Sequence, residues 1–398
     1  MSEAGPERAP TPTSTPTRTF VLAAGGTGGH LFPAQALAEQ LRARGAAVHL
    51  ASDRRADAFA GALPGTAVSR VRAGRLGGGV LQTGWGLLVM LAGLGDARRL
   101  LRRLDPEAVI GFGGYPSVPT MLMAARLGFP TVIHEQNAVL GRANRFLAKR
   151  MKRICTGFAD TARLPPAIRD RAVYTGNPVR PAIRLAATPY RAPAPGLPIE
   201  LLILGGSQGA RIFADVVPAA LAALPSALRS ALRVSQQARP EDVERVTAQL
   251  RAAGIAAEVS SFFTDVPERL ARTQLVICRA GASTASELAA AGRPALLVPY
   301  PYAMDDHQMA NARALMAAGA GWAIPQSAFS VPLLTNRLRA LLDDPQGLAH
   351  AAAQAGRFAV EDAAERLASV VLGLLPNVGR APPPLGKRPG KHPGERLA

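Results

Sequence analysis

The sequence predicts an α/β chain of two Rossmann-like domains that face each other across a cleft. Three observations carry this. Short β-type apolar runs alternate with helical patterns, as in βα units that build parallel sheets. One design, a strand, a glycine loop and a helix, occurs at 19–36 and again from 199 onward. The length of 398 residues suits two domains of ordinary size.

In the first half, strands are expected at 19–24, 47–51, 108–110, 131–134, 153–156 and 172–174. Helical patterns fall at 33–44, 87–104, 117–127 and 140–149. Gly176-Asn177-Pro178-Val179-Arg180-Pro181 then interrupts the rhythm as a linker, so the first domain is expected over 19–180 and the second over 181–355. A last helical pattern at 355–374 can return to brace the first domain. Residues 1–18, rich in Pro, Thr and Ser without a signal peptide's apolar stretch, are expected to be a disordered leader, and 376–398 a disordered basic tail.

Composition narrows the function. A formal charge of +18 asks for an acidic partner: nucleic acid, anionic lipid or a phosphorylated substrate. With aromatics at 5% and no basic–aromatic module, nucleic acid is not the expected partner. Cys155 and Cys278 both end apolar runs and read as reduced core residues. No apolar run is long enough to span a bilayer. Leu81, Trp85, Leu87, Leu88, Val89, Met90, Leu91 and Leu94, followed by Arg98, Arg99, Arg102 and Arg103, fit either an interfacial patch or a core helix with a basic exposed end.

The chemistry gathers where strands end in glycines. Gly25-Gly26-Thr27-Gly28-Gly29-His30 leaves bare N–H groups at a positive helix end, an arrangement that holds anions. It is neither a dinucleotide fingerprint, whose third glycine would fall on Leu31, nor a P-loop, since no Lys-Ser or Lys-Thr follows. His30 sits at the mouth of the helix, as a proton acceptor or as a residue that orders the loop. In Cys278-Arg279-Ala280-Gly281-Ala282-Ser283-Thr284-Ala285-Ser286-Glu287, a helix opening near Ser283 would favour a diphosphate by ~0.3–1 kcal/mol through its dipole. Glu287, a turn inside, either accepts from ribose hydroxyls or is an ordinary acidic first-turn residue. A third glycine turn, Gly111-Phe112-Gly113-Gly114-Tyr115-Pro116-Ser117, precedes His134-Glu135-Gln136-Asn137 at the end of an apolar strand. Polar groups there must be paired or used, so Glu135 and Asn137 are cleft residues or turn-forming ones.

These loops, with 176–180 and 205–211, stand in an order that resembles the MurG family. Its members add N-acetylglucosamine to the lipid-linked muramyl-pentapeptide (lipid I) to give lipid II. The resemblance spans 19–375 and rests on six ordered motifs; one glycine loop alone would carry little. It implies the GT-B architecture, inversion at the anomeric carbon, no metal-binding DxD motif and no cofactor. Thr27, Gly28 and Gly29 resemble the loop that approaches donor and acceptor phosphates. Asn137 resembles the amide on the donor sugar, Arg180 a cation near the donor, and Ser207 the hydroxyl of the second glycine loop. Ala282, Ser283, Thr284, Ala285, Ser286 and Glu287 resemble the diphosphate-and-ribose site, and Phe263 the residue beside the uracil. Gln308 resembles the sugar-reading glutamine, with His307 where some members carry another glutamine; Asp305 and Asp306 lack DxD spacing and read as a solvated loop or helix cap.

For that transfer the C4 hydroxyl of the muramyl sugar attacks the donor's anomeric carbon as UDP leaves. His30 is the first candidate for the base that takes its proton, and Glu135 the second. The resemblance further implies UDP-GlcNAc and lipid I as substrates and anionic inner-leaflet lipids met through 81–103. Other cell-wall synthesis proteins are implied as partners, with a peripheral seat on the cytoplasmic face of the membrane. A different glycolipid transferase or a UDP-sugar 2-epimerase would share the architecture; the six-motif order argues against both.

Overall fold

The expected alternation becomes two parallel sheets. The structure, a computed structural model, describes residues 18–25, 28–53, 65–74, 80–206 and 209–375, with backbone alone at 80–83. The expected leader apart from Arg18, the expected tail, and the two loop residues Thr27 and Ser207 lie outside the described residues.

The first sheet holds β1 (Thr19–Ala23), β2 (Ala47–Ser52), β3 (Ala67–Arg70), β4 (Ala108–Gly111), β5 (Thr131–Glu135), β6 (Arg153–Thr156) and β7 (Ala172–Tyr174), in the order 3-2-1-4-5-6-7. The second holds β8 (Ile199–Leu204), β9 (Leu232–Gln237), β10 (Ala256–Ser260), β11 (Leu275–Cys278), β12 (Ala295–Leu297) and β13 (Gly321–Ala323), in the order 10-9-8-11-12-13. The pairings are parallel, for example Leu22 against Ile110 and Ile203 against Ile277. In each sheet the order reverses beside the first strand, and the loops leaving the carboxyl ends there open a crevice. Strands β4 and β5 are buried along their whole length, as expected of strands covered by helices on both faces. β3 was not expected from the sequence: Ala67-Val68-Ser69-Arg70 has no apolar run, and it pairs with β2 as a mostly exposed edge.

Helices α1 (Gly28–Arg42), α2 (Val80–Leu104), α3 (Ser117–Arg126) and α4 (Arg142–Ala148) belong to the first domain. α5 (Pro181–Ala186) follows the linker. The second domain carries α6 (Arg211–Ala222), α7 (Ser226–Ala231), α8 (Val243–Ala252), α9 (Val266–Arg272), α10 (Ala282–Ala291), α11 (His307–Ala317), α12 (Val331–Leu342) and α13 (Pro345–Phe358). α14 (Ala363–Leu372) closes the described chain. Alternate residues of β1 feed opposite cores: Val21 and Ala23 meet Met90, Leu101, Met121 and Leu147 of α2, α3 and α4, while Phe20 and Leu22 meet Leu31, Leu37 and Leu41 of α1.

Helix bounds differ from the sequence expectation by more than a residue or two in three places, the first being α2, which starts at Val80 and not at 87. α1 starts at Gly28 and runs through Pro33, so the missing proline N–H does not set its start. The pattern at 355–374 is two helices, broken at 359–362. α13 packs on α10 of the second domain, whereas α14 lies on α1, with Leu367, Ala368 and Val371 in the core that holds Phe20 and Leu22. The chain thus crosses between the domains at 176–180 and again near 360.

Leu367 is fully buried, so Leu367→Ala should cost about 2–5 kcal/mol of unfolding free energy in a denaturant titration. A loss no larger than the roughly 0.5 kcal/mol of a surface substitution would show that α14 does not brace the first domain.

Candidate active site

Where β1 and β4 part, the loops after them touch: the Gly25 N–H donates to Gly113 O at 3.2 Å. Gly113 and Gly114 take left-handed φ values of 86° and 75°. A Cβ on Gly113 would stand 3.4 Å from His30 Nε2, so glycine lets this loop lie against the imidazole. His30, half-buried in the first turn of α1, lines a cavity of about 220 Å³. Its other walls include Tyr115, Glu135, Asn137 and Arg142 and, from the second domain, Met304, Asp305 and His307.

Glu135 ends β5 and is 3% exposed. Its Oε1 accepts from Asn137 N (3.0 Å) and Asn137 Nδ2 (3.1 Å), and its Oε2 from Gly141 N (2.8 Å) and Asn144 Nδ2 (2.9 Å). A carboxylate offers about four lone-pair positions. All are taken up in ordering the 136–144 loop. His134, fully buried, donates from Nε2 to Gly176 O and accepts at Nδ1 from the Gln136 amide, both at 3.1 Å, which fixes its tautomer. Burial pushes its pKa down to about 4, against a smaller upward pull from the Gly176 carbonyl.

Asn137 is also held from the other domain. Its Oδ1 accepts from Asn311 Nδ2 at 3.1 Å; Asn311 Oδ1 accepts the Ala138 N–H at 2.8 Å, and its Nδ2 also donates to Ala280 O at 3.0 Å. Asn311 is wholly buried on α11 and was not singled out from the sequence. Its signal was there: an amide in an alanine-rich helix, on the side that packs inward. Asn177 forms a second junction, donating to Gln136 O (2.8 Å) and Ser286 Oγ (3.0 Å).

Arg180 and Glu287 find each other. Nε and a terminal nitrogen of Arg180 reach the two Glu287 oxygens at 2.7 and 3.0 Å, a bidentate pair, and the guanidinium lies 4.8 Å from the Phe32 ring centre. Around it, α10 begins after its N-cap residue Gly281, which offers no side-chain cap to the first N–H groups of the helix. Ser283 Oγ there is buried with no hydrogen-bond partner, Ala282 and Ala285 are buried, Thr284 is half-buried, and Ser286 Oγ donates to Ala282 O. Gly28 rests against the Phe32 ring, and Gly29 faces open space.

Gln308 Oε1 accepts the Tyr300 N–H at 2.9 Å, which leaves its amide N–H groups to donate; His307 Nδ1 donates to Met304 O at 2.8 Å. Phe263 is buried, with the Arg269 guanidinium 4.0 Å from its ring centre, while Phe262 is exposed. Among the described residues no three His, Cys, Asp or Glu side chains gather as metal ligands do.

One side of α2 is buried and another is exposed. Met90 and Leu94 pack into the core, while Trp85 (71% exposed), Leu87, Leu88 and Leu91 face outward with Arg98, Arg99, Arg102 and Arg103. The Leu81 side chain lies outside the described residues. No described helix is long and apolar enough to cross a membrane.

Comparison with known proteins agrees with this geometry. The glycosyltransferase family 28 N-terminal domain matches residues 20–156 and the C-terminal domain matches 200–367. The chain is similar to the UDP-N-acetylglucosamine–N-acetylmuramyl-(pentapeptide) pyrophosphoryl-undecaprenol N-acetylglucosamine transferase of Rhodospirillum centenum, with 54% identity over 89% of this chain and 94% of that one. Its counterpart in Rhodospirillum rubrum is also 54% identical, over 88% and 91% of the two chains. The crystal structure of Acinetobacter baumannii MurG superposes with a TM-score of 0.74 at 29% identity, covering 90% of this chain and all of that one. A kitacinnamycin glycosyltransferase, 16% identical with a TM-score of 0.69 over 91% of this chain and all of that one, shares the fold.

His134 makes stability depend on pH in one direction. Its folded pKa of about 4 lies below the unfolded value of 6.5, so its contribution is complete above 6.5. The contribution is lost as pH falls towards 4, because the unfolded chain takes a proton that the native site refuses. The expected slope is up to about 1.4 kcal/mol per pH unit. Denaturant unfolding between pH 7 and 4.5 should show it, with a shallower slope in His134→Gln; equal slopes would refute this role for the imidazole.

Proposed function

Because the chain belongs to glycosyltransferase family 28, we propose that it is the hexosyltransferase that moves N-acetylglucosamine from UDP-N-acetylglucosamine to the C4 hydroxyl of the muramyl sugar of lipid I. The product is lipid II for peptidoglycan synthesis. One observation carries the reading at the site. His30, in the first turn of α1, and an uncapped helix start with an orphaned hydroxyl, Ser283 of α10, belong to opposite domains, and α1 and α10 pack together beside the switch points of two parallel sheets.

On the donor side, the first N–H groups of α10 and Ser283 Oγ take the diphosphate. Each Glu287 oxygen accepts one bond from Arg180 and keeps a lone pair for a ribose hydroxyl, so the ion pair orients the acid without consuming it. The Gln308 amide, with one end fixed by Tyr300, and Asn137 read the sugar. With its ring under Arg269, Phe263 meets the uracil by its edge or main chain. Gly28 and Gly29, which open α1, flank the phosphates, the role that the family resemblance also gives to Thr27 and Ser207.

In the reaction a bond forms between the acceptor O4 and the anomeric carbon as the bond from that carbon to the UDP oxygen breaks on the opposite face. The O4 proton passes to His30, and the electron pair leaves with UDP. Base assistance of this kind is worth ~10²–10⁴-fold. The charge that grows on UDP is met by the α10 N–H groups. Glu135, with its lone pairs committed to the loop, orders the acceptor wall and leaves the proton to His30.

The acceptor is carried by a lipid, and the exposed face of α2 supplies a seat on the cytoplasmic side of the membrane. Trp85, Leu87, Leu88 and Leu91 enter the interface while the four arginines meet anionic headgroups, at about 1 kcal/mol per basic residue near the surface.

His30→Ala should lower transfer from labelled UDP-N-acetylglucosamine to a lipid I analogue by at least roughly a hundredfold, with donor affinity unchanged. Equal loss of donor affinity would make His30 a phosphate ligand and not the base. Replacing Trp85 and Leu88 together by serine should cut co-sedimentation with anionic vesicles severalfold and spare turnover of a water-soluble acceptor; unaltered vesicle binding would move the seat elsewhere.

A further inference from the structure

Asp305 has no task in the reaction just described, yet it is among the most elaborately partnered acids of the chain. It stands in the turn Met304–Asp306, directly before His307 and Gln308, and its side chain is only 10% exposed. Three guanidinium groups of the opposite domain converge on it. Arg163 lies at 2.6 Å, Arg142 at 3.4 Å and Arg145 at 3.6 Å; the last two are one turn apart on α4. Burying a carboxylate is unfavourable unless cations or donors meet it. Here these cations come across the cleft, so they reach Asp305 only when the domains are together. Burial pushes the carboxyl pKa up, but the Arg163 bond and the Arg142 and Arg163 charges outweigh it and hold it below the ordinary carboxylate range.

The backbone points the same way. Asp305 and Asp306 have φ of 57° and 55°, and Arg163 has 61°, so non-glycine residues on both sides of the contact are left-handed. Such conformations persist where the surroundings impose them. Asp306 precedes α11 but makes no side-chain cap, so capping does not account for the turn. What the turn does achieve is to send the Asp305 carboxylate back across the cleft while the next two residues face the cavity wall and Tyr300.

We propose that Asp305 is a positioning residue, whose clamp by Arg142, Arg145 and Arg163 closes the cleft and aims His307 and Gln308 at the sugar half of the donor. Sugar selection is thereby tied to domain closure, whereas the UDP half, held at α10 within the second domain, does not need the clamp. This rests on the transfer reading above.

The test compares native protein, Asp305→Asn, Arg163→Gln and the double variant. Asparagine also tolerates the left-handed region, so Asp305→Asn removes the charge with little change to the backbone. KM for UDP-N-acetylglucosamine should rise roughly tenfold in each single variant, a size that contacting charged pairs reach, and no further in the double variant. Inhibition by UDP alone and the melting temperature should stay as in the native protein. Unchanged KM, equal weakening of UDP and UDP-N-acetylglucosamine, or multiplying losses in the double variant would each overturn the clamp. Absence of product from the native protein would strike the transfer reading instead; an active native protein beside an unaffected Asp305→Asn strikes the clamp alone.

Discussion

A carboxylate buried at the end of β5 has to be met by donors, and the way Glu135 is met sets how the two domains touch. Its four hydrogen bonds pull residues 137–144 into one fixed turn. Bonds to a charged group are worth about 1.5–3 kcal/mol each, against about 0.5–1.5 for neutral ones, so this turn is far stiffer than an ordinary loop. From it Asn137 and Ala138 reach Asn311 in the second domain, and α4 starts where Arg142 and Arg145 can reach Asp305. The same commitment makes an acid at the cleft wall an organiser of the loop beside the cavity.

Parallel sheets explain why polar and charged chemistry collects at this crevice. Strands covered on both faces must be apolar along their length, so polar residues are expelled to their ends. The carboxyl ends are also where the following helices begin, with uncapped N–H groups. Two such edges placed face to face make a crevice rich in donors, suited to substrates that carry phosphates. The large positive charge is spent unevenly: Arg180, Arg142, Arg145 and Arg163 pair with acids across the domain boundary, while the arginines of α2 stay exposed beside apolar side chains.

Much of this was legible in the residues. The strands at 153–156 and 172–174 appear with the expected bounds, because a short apolar run between turn residues is a local signal. β3 escaped because an exposed edge strand needs no apolar pattern, and the break at 359–362 escaped because helical periodicity continues on both sides of it. The polar cluster 134–137 announced that it had to be paired or used; which of these it was depended on donors that lie beyond it, at Gly141 and Asn144.

By itself the sequence determined the two βα domains, the glycine turns at their crevices and the family to which their order belongs, since periodicity and spacing are properties of neighbouring residues. Only the tertiary structure decided the partners. Asn137 meets Asn311 across 174 positions, Arg180 meets Glu287 across 107, and Asp305 meets three arginines of the other domain. An amide, a carboxylate or a guanidinium accepts many partners with similar energy, so its choice is made by which distant segments the fold brings within hydrogen-bond reach.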